Sequence, residues 1–175
     1  ADGSGTIALQ NQLSGMTSAS MPTGSVLQVV QFVKTDTAAF SGNQYQDHEL
    51  GITVTITPTS SSSKILITGH VSVGHSVATA GFAVGLYRGN TLIGAGDAAG
   101  SRRRNHVETD LRTYTLRALP INFLDSPNTT SSTTYKLKGS SSSANTLYIN
   151  VNGENTTAQN SVSGTSVLTA MEIAG

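Results

Sequence analysis

Three consecutive arginines, Arg102, Arg103 and Arg104, followed by Asn105 and His106, form the densest basic run in the chain. Guanidinium groups present planar forks of N–H donors that match carboxylate and phosphate oxygens. One reading is therefore recognition of an anionic surface, such as phosphate, sialic or uronic acid, or lipopolysaccharide. Asp97, Glu108 and Asp110 flank the run closely, and the reading preferred on sequence grounds is that they neutralise it within loops or across a subunit boundary. Consecutive residues on a strand also point to opposite faces, which works against a single basic surface.

Other groupings of reactive residues carry less. Asp47, His48 and Glu49 place three ligand types in a row, with His70 and His75 downstream. Strand-borne metal sites favour same-face spacing, and His70 and His75 differ in parity. No metal is expected, short of one histidine per subunit meeting on a symmetry axis. The glycines of IGAGDAAG (Gly94, Gly96 and Gly100) superficially copy a dinucleotide fingerprint, which needs a helix after it to hold the pyrophosphate. The adjoining segment, SRRRNHVETD, has no helical period. There is no GxSxG elbow and no HExxH motif, and scattered carboxylates cannot be paired from sequence into a glycosidase acid and nucleophile. No catalytic residue and no cofactor is assigned, and a depolymerase is the enzyme class set aside last.

These clusters stand out because charge is scarce elsewhere. Only 11% of the 175 residues are charged, ten of each sign, against about 25% in ordinary domains. Ser and Thr make up about a quarter of the chain. Disorder is disfavoured, because it goes with high net charge. A general nucleic-acid binder is disfavoured, because neutralising phosphates needs surplus Lys and Arg. No apolar run approaches the ~18 residues of a membrane-spanning helix, and no membrane insertion is expected. There is no cysteine, hence no disulfide framework or thiolate site. The first 24 residues have no basic start and no continuous apolar stretch, so no secretion signal is expected in them.

The elements that must position these residues read as short strands. From Gly51, Ile52, Val54 and Ile56 alternate with Thr53, Thr55 and Thr57, the pattern of a half-buried strand. Lys64 opens KILITGHVSVG, where Ile65, Ile67, Val71 and Val73 share one face. Further strands are predicted at residues 26–33, 82–87, 91–93, 113–123, 135–138, 147–151 and 167–173, with a tight turn at Arg88, Gly89 and Asn90. No sustained helical period appears. The chain is expected to form an all-β, antiparallel, jelly-roll-like β-sandwich over residues 25–175, preceded by an extended N-terminal arm at 1–24. Leu66, Tyr87, Tyr148 and Leu168 are expected on the outward faces of their strands, where they could bury a subunit interface.

Five segments occur in order: MPTGSVLQVVQ at Met21, ITVTITPTSSSSKILI at Ile52, LYRGNTLIGAGDAAGSR at Leu86, INFLDSPNTTSSTTYKLK at Ile121 and SVLTAMEIAG at Ser166. Together they resemble the C-terminal β-domain of virion structural and tail-fibre-like proteins of tailed phages, marine and cyanobacterial ones especially. The resemblance implies a non-enzymatic, jelly-roll-like knob on the virion, often homotrimeric, and brings no catalytic residues. Its expected partners are two further copies of itself, other virion proteins of tail or capsid, and host cell-surface polysaccharide. The short arm raises an alternative, a capsid cement or decoration protein on the phage head. Sugar contact is expected in loops whose amides and hydroxyls suit it: Asn43, Gln44, Tyr45 and Asp47 in one, Arg102, Arg103, Arg104 and Asn105 in another, Asn152 and Asn155 in a third.

Overall fold

The structure is a computed structural model that describes residues 20–41, 44–77, 80–112 and 114–175. Eleven strands lie among the described residues: β1 (Val26–Lys34), β2 (Ala38–Phe40), β3 (His48–Ile56), β4 (Lys64–His75), β5 (Ala80–Arg88), β6 (Thr91–Ile93), β7 (Val107–Leu111), β8 (Arg117–Asp125), β9 (Thr133–Ser141), β10 (Leu147–Ile149) and β11 (Ser166–Ile173). They form one six-stranded and one five-stranded sheet, with every strand pair antiparallel. Among the described residues no helix is long and apolar enough to cross a membrane.

In the six-stranded sheet β4 is central. Along one edge it pairs β8 from Ile65 to Val73, and along the other it pairs β11 and then β10. Strand β1 lies outside β11 and β2 outside β10. In the five-stranded sheet β9 separates β3 from β5, and the far edge of β5 is shared by β7 and β6. Following the chain, consecutive strands pass from one sheet to the other six times, the crossing habit of jelly-roll-like sandwiches.

Strand periodicity of two explains which side chains meet in the middle. In β3, Leu50, Ile52, Val54 and Ile56 are buried and the threonines between them are exposed. Opposite lie Ile65, Ile67, Val71 and Val73 of β4, with Phe82, Val84 and Leu86 of β5 and Tyr135 and Leu137 of β9 completing much of the core. Burying each such side chain contributes about 1.5–3 kcal/mol.

Buried polar groups tie the two sheets together. Asp125 at the end of β8 accepts from Arg88 of β5 at 2.9 Å and from the Tyr135 hydroxyl of β9 at 2.7 Å. Burial, followed by the adjacent Asp125 carboxylate, pushes the Tyr135 phenol far above its usual range. His75 of β4 hydrogen-bonds Ser141 of β9 at 2.9 Å. Glu172 of β11 is fully buried, yet it accepts from the Thr59 amide at 2.7 Å, the Thr59 hydroxyl at 2.8 Å and the Gln28 amide group.

The structure corrects several expectations. Strands β2 and β7 escape the sequence reading, since AAF and VETDL have no run of β-branched residues long enough to register. Strand β8 begins at Arg117 rather than at 113, and residue 113 lies outside the described residues, as do residues 1–19 of the expected arm. The strand predicted at 147–151 ends at Ile149, where Asn150 takes φ 61° and its side chain bonds the Lys34 and Asp36 carbonyls. Leu168 is not outward. It is fully buried, while Val167, Met171 and Ile173 face out half-buried. Both parities of VLTAMEI are largely apolar, so the hydrophobic pattern does not choose the face. The pairing and the buried positions of Ser166 and Glu172 do. The Arg88–Thr91 hairpin forms as read, with Gly89 at φ 58° in its two-residue turn.

Candidate binding groove

The outer face of β5 carries Gly81, Ala83, Gly85 and Tyr87; the three small residues are buried, and Tyr87 is the one that reaches the groove. A Cβ at Gly85 would lie 2.8 Å from the Tyr87 ring and 3.0 Å from Leu92, so the missing side chain is what lets that ring lie down. Two loops rise beside this face, one entering β3 at residues 44–47 and one entering β7 at residues 102–106. Between them lies a groove of about 300 Å³ whose lining includes Tyr45, Asp47 and Tyr87 together with Arg102, Arg103 and Arg104. Asn105, Leu92 and Ser140 complete it.

Arg103 organises the junction. Its guanidinium lies 4.4 Å over the Tyr45 ring, and its two terminal nitrogens donate to the Ser140 hydroxyl and the Glu108 carboxylate, each at 3.2 Å. Arg104 Nε donates to the Gly96 carbonyl at 2.6 Å. The Arg102 side chain is exposed and makes no hydrogen bond or ion pair among the described residues. Of the three carboxylates expected to neutralise the arginines, Glu108 alone reaches one of them among the described ion pairs.

Tyr45 sits in the left-handed region at φ 66° with half of its surface exposed. For a bulky residue this conformation costs about 1–3 kcal/mol. Its amide donates to the Ser141 carbonyl at 2.8 Å, and Gln44 bonds the next carbonyl, Ser142, which fixes the loop on the end of β9. Deeper in the groove the Tyr87 hydroxyl donates to Asp47 at 2.7 Å, and the Lys138 ammonium lies 4.8 Å over the Tyr87 ring. Burial, and after it the hydrogen bond to Asp47, pushes the Tyr87 phenol up to about 12, so it stays a donor at every ordinary pH. On the neighbouring rows Glu49 accepts from Lys136 at 2.8 Å and lies 3.1 Å from Lys138. Partial burial opposes the charge on Glu49, but the two lysines outweigh it and hold the carboxyl below its usual range.

The three predicted contact loops do not converge as a set. Tyr45 and Asp47 come together with Arg102, Arg103, Arg104 and Asn105, while Gln44 bonds the Ser142 carbonyl outside the groove lining. Asn43 lies outside the described residues. In the third loop Asn155 is exposed at φ 44°, whereas Asn152 is fully buried, contrary to a surface contact. Its amide donates to the Asn160 carbonyl at 3.0 Å and its carbonyl accepts from Ser161 at 3.1 Å, which braces residues 152–162 internally.

Sequence reasoning missed Tyr87, Leu92 and Ser140 as groove residues. Gly85, two positions before Tyr87 on the same strand face, was the available signal, since its missing side chain makes room for Tyr87 and Leu92. It also missed the pairing of His75 with Ser141. That pair has the makeup of a base and a nucleophile, but both residues are buried, and His75 Nδ1 accepts from the Val77 amide. It serves the sandwich. No group of three His, Cys, Asp or Glu among the described residues is arranged to hold a metal.

No protein-family model matches the chain, and no curated protein matches it. Solved structures similar to it are those of infectious bursal disease virus particles. They include the T=13 particle (17% identity, TM-score 0.46, 85% of this chain and 36% of that one) and the virus-derived T=1 particles (16%, 0.47, 84% and 36%). A third is the virus's VP2 subviral particle (16%, 0.44, 85% and 37%). The chain spans little more than a third of the length of the structures it matches.

Proposed function

We propose that the chain is a non-enzymatic structural protein of a phage virion, the knob of a tail fibre or other appendage, which meets host surface polysaccharide through the groove over β5. The ordered set of five resembling segments supports the virion role. The carrying observation for the contact is the convergence of Tyr45 and Asp47 with residues 102–105 on one groove. Aromatic rings, planar donors and a carboxylate there face solvent together, the mixture by which sugar rings and hydroxyls are held.

The proposed assembly is a homotrimer. A row of outward apolar side chains, Val29, Met171, Leu66 and Leu124, crosses β1, β11, β4 and β8 in register. It gives further copies a surface to cover on the sheet that does not carry the groove. Two experiments test this reading. Light scattering is expected to give three times the chain mass, and fluorescently labelled protein is expected to adhere to host cells. A monomer removes the trimer, and absence of adhesion removes the host contact. The same apolar row favours one second reading, a head-decorating protein lying on a shell. Copy number per virion separates the two, hundreds for decoration against a few dozen or fewer for an appendage.

A further inference from the structure

The three arginines of the groove are not equivalent in what they leave free. Glu108 answers the charge of Arg103, and that side chain is spent on Ser140 and on the Tyr45 ring. Arg104 uses one nitrogen on a carbonyl and meets no carboxylate among the described ion pairs. Arg102 has no side-chain partner among the described residues. Asp47, the carboxylate in the lining, already accepts the Tyr87 hydroxyl. A chain of zero net charge therefore gathers two unanswered guanidinium groups at the mouth of one groove.

Tyr45 supplies a second, independent observation. Glycine adopts its backbone conformation without strain, yet the position holds a tyrosine whose ring is half exposed and packed on one side by Arg103. A strained, exposed aromatic beside free cations has its use outside the fold. Flat rings stack on sugar faces, and guanidinium forks pair with carboxylates through two parallel hydrogen bonds.

Resting on the polysaccharide reading above, we propose that the groove takes a carboxylate-bearing sugar, uronic or nonulosonic in type. Its carboxylate is held by Arg102 and Arg104 and its ring lies against Tyr45. Neutral hydrogen bonding by amides, the expectation from sequence, is then the secondary part of recognition. The groove volume, at the small end of the range for ligand sites, fits a single sugar unit rather than a long segment of chain.

The test is calorimetric titration of the full chain with a glucuronate-containing oligosaccharide, with the same oligosaccharide after reduction of its carboxylates, and with inorganic phosphate. The acidic oligosaccharide is expected to bind, and to bind more weakly as salt rises. The reduced form is expected to lose about tenfold or more, as is each of Arg102→Ala and Arg104→Ala. Tyr45→Gly is expected to lose binding while melting at the same or a higher temperature, an outcome that unfolding cannot mimic. Equal binding of the reduced form overturns the acidic specificity and leaves sugar contact standing. Phosphate binding as tightly as the oligosaccharide overturns the sugar. Arg102→Ala and Tyr45→Gly proteins that still adhere to host cells like the parent overturn the groove as the contact. Failure of the parent itself to adhere brings down the host-contact reading beneath it.

Discussion

On the outer face of the six-stranded sheet, Val29 and Leu124 are each about half exposed and flank Met171 and Leu66 in one row. The two rows beyond it, Gln31–Thr169–Thr68–Asn122 and Val33–Val167–His70–Pro120, add no Lys, Arg, Asp or Glu. The outer face of the five-stranded sheet is the opposite case. Glu49, Lys136 and Lys138 form a cross-strand ion-pair group there, Glu108 and Asp110 stand on β7, and the three arginines overhang it. The same Thr-rich strand chemistry thus supports two surfaces with different tasks. Removing charge from one face leaves a patch that another protein can cover with little desolvation cost. Concentrating charge on the other makes a small local field in a molecule where charge is scarce. The apolar sheet also guards its free edge, since Pro120 in the outermost strand β8 removes a donor that a stray strand would need.

The contrast depends on the two sheets being held back to back, and the largest effect comes from breaking that hold. Asp125→Ala leaves Arg88 and the Tyr135 hydroxyl without their shared partner. It is expected to cost about 3 kcal/mol, the low end for a broken buried pair because Arg88 keeps a third of its side-chain surface in solvent. Denaturant unfolding measures it, and a loss below about 1 kcal/mol would show that the pin is incidental. Next in size is the apolar row. Leu66→Lys combined with Met171→Lys is expected to reduce the assembly to a single chain in light scattering, without a shift in the circular dichroism of the strands. Thr53→Lys combined with Thr55→Lys on the charged sheet is expected to leave the assembly mass unchanged. If both pairs dissociate it, the two faces are not specialised.

A smaller effect separates the interior from both faces. Burial lowers the affinity of His75 for a proton, and its Nδ1 already accepts an amide hydrogen. The unfolded chain takes up that proton near 6.5 and the folded chain only at lower pH. Between those values the unfolded state binds more protons, so stability falls as pH falls and levels off once the folded form is protonated too. His75→Gln is expected to flatten the change in denaturant midpoint between about pH 7.5 and pH 5. Glu172 contributes in the same direction only below this window. Despite burial, hydrogen bonds led by that from Gln28 hold its carboxyl under 4.5, so its contribution is lost as pH falls through that lowered value.

Much of this architecture is legible in the residues. ITVTITP shows its buried and exposed positions directly because one face is apolar and the other threonine. In β11 that signal fails, since Val167 and Leu168 are both apolar and only tertiary partners set the side each takes. Short strands such as β2 and β7 are fixed by their neighbours' open edges rather than by propensity. For the groove, the loop residues are visible because Arg, Tyr and Asn in turns stand out against a low-charge background. Asn152 shows the limit of that argument. The amide that suits a sugar equally suits the loop's own carbonyls, and burial decides between them.

The finest comparison lies within the groove, among the causes that raise the Tyr87 phenol. Burial is the largest, Asp47 follows through its hydrogen bond and charge, and the Glu49 charge adds last. Asp47→Asn keeps the shape and removes the charge. It is expected to bring the ionisation of Tyr87 down from about 12 toward, but not to, the ordinary phenol value of 10.0. Ultraviolet difference titration against a Tyr87→Phe protein isolates this one ring among the five tyrosines. Tyr87→Phe itself is expected to change stability by less than about 0.5 kcal/mol, since Asp47 is exposed and water replaces the lost donor. A full return to 10.0 in the Asp47→Asn protein would mean that water reaches the ring. Gly85 would then be open to solvent rather than covered by Tyr87 and Leu92, and the charged face would be too flat to enclose a sugar.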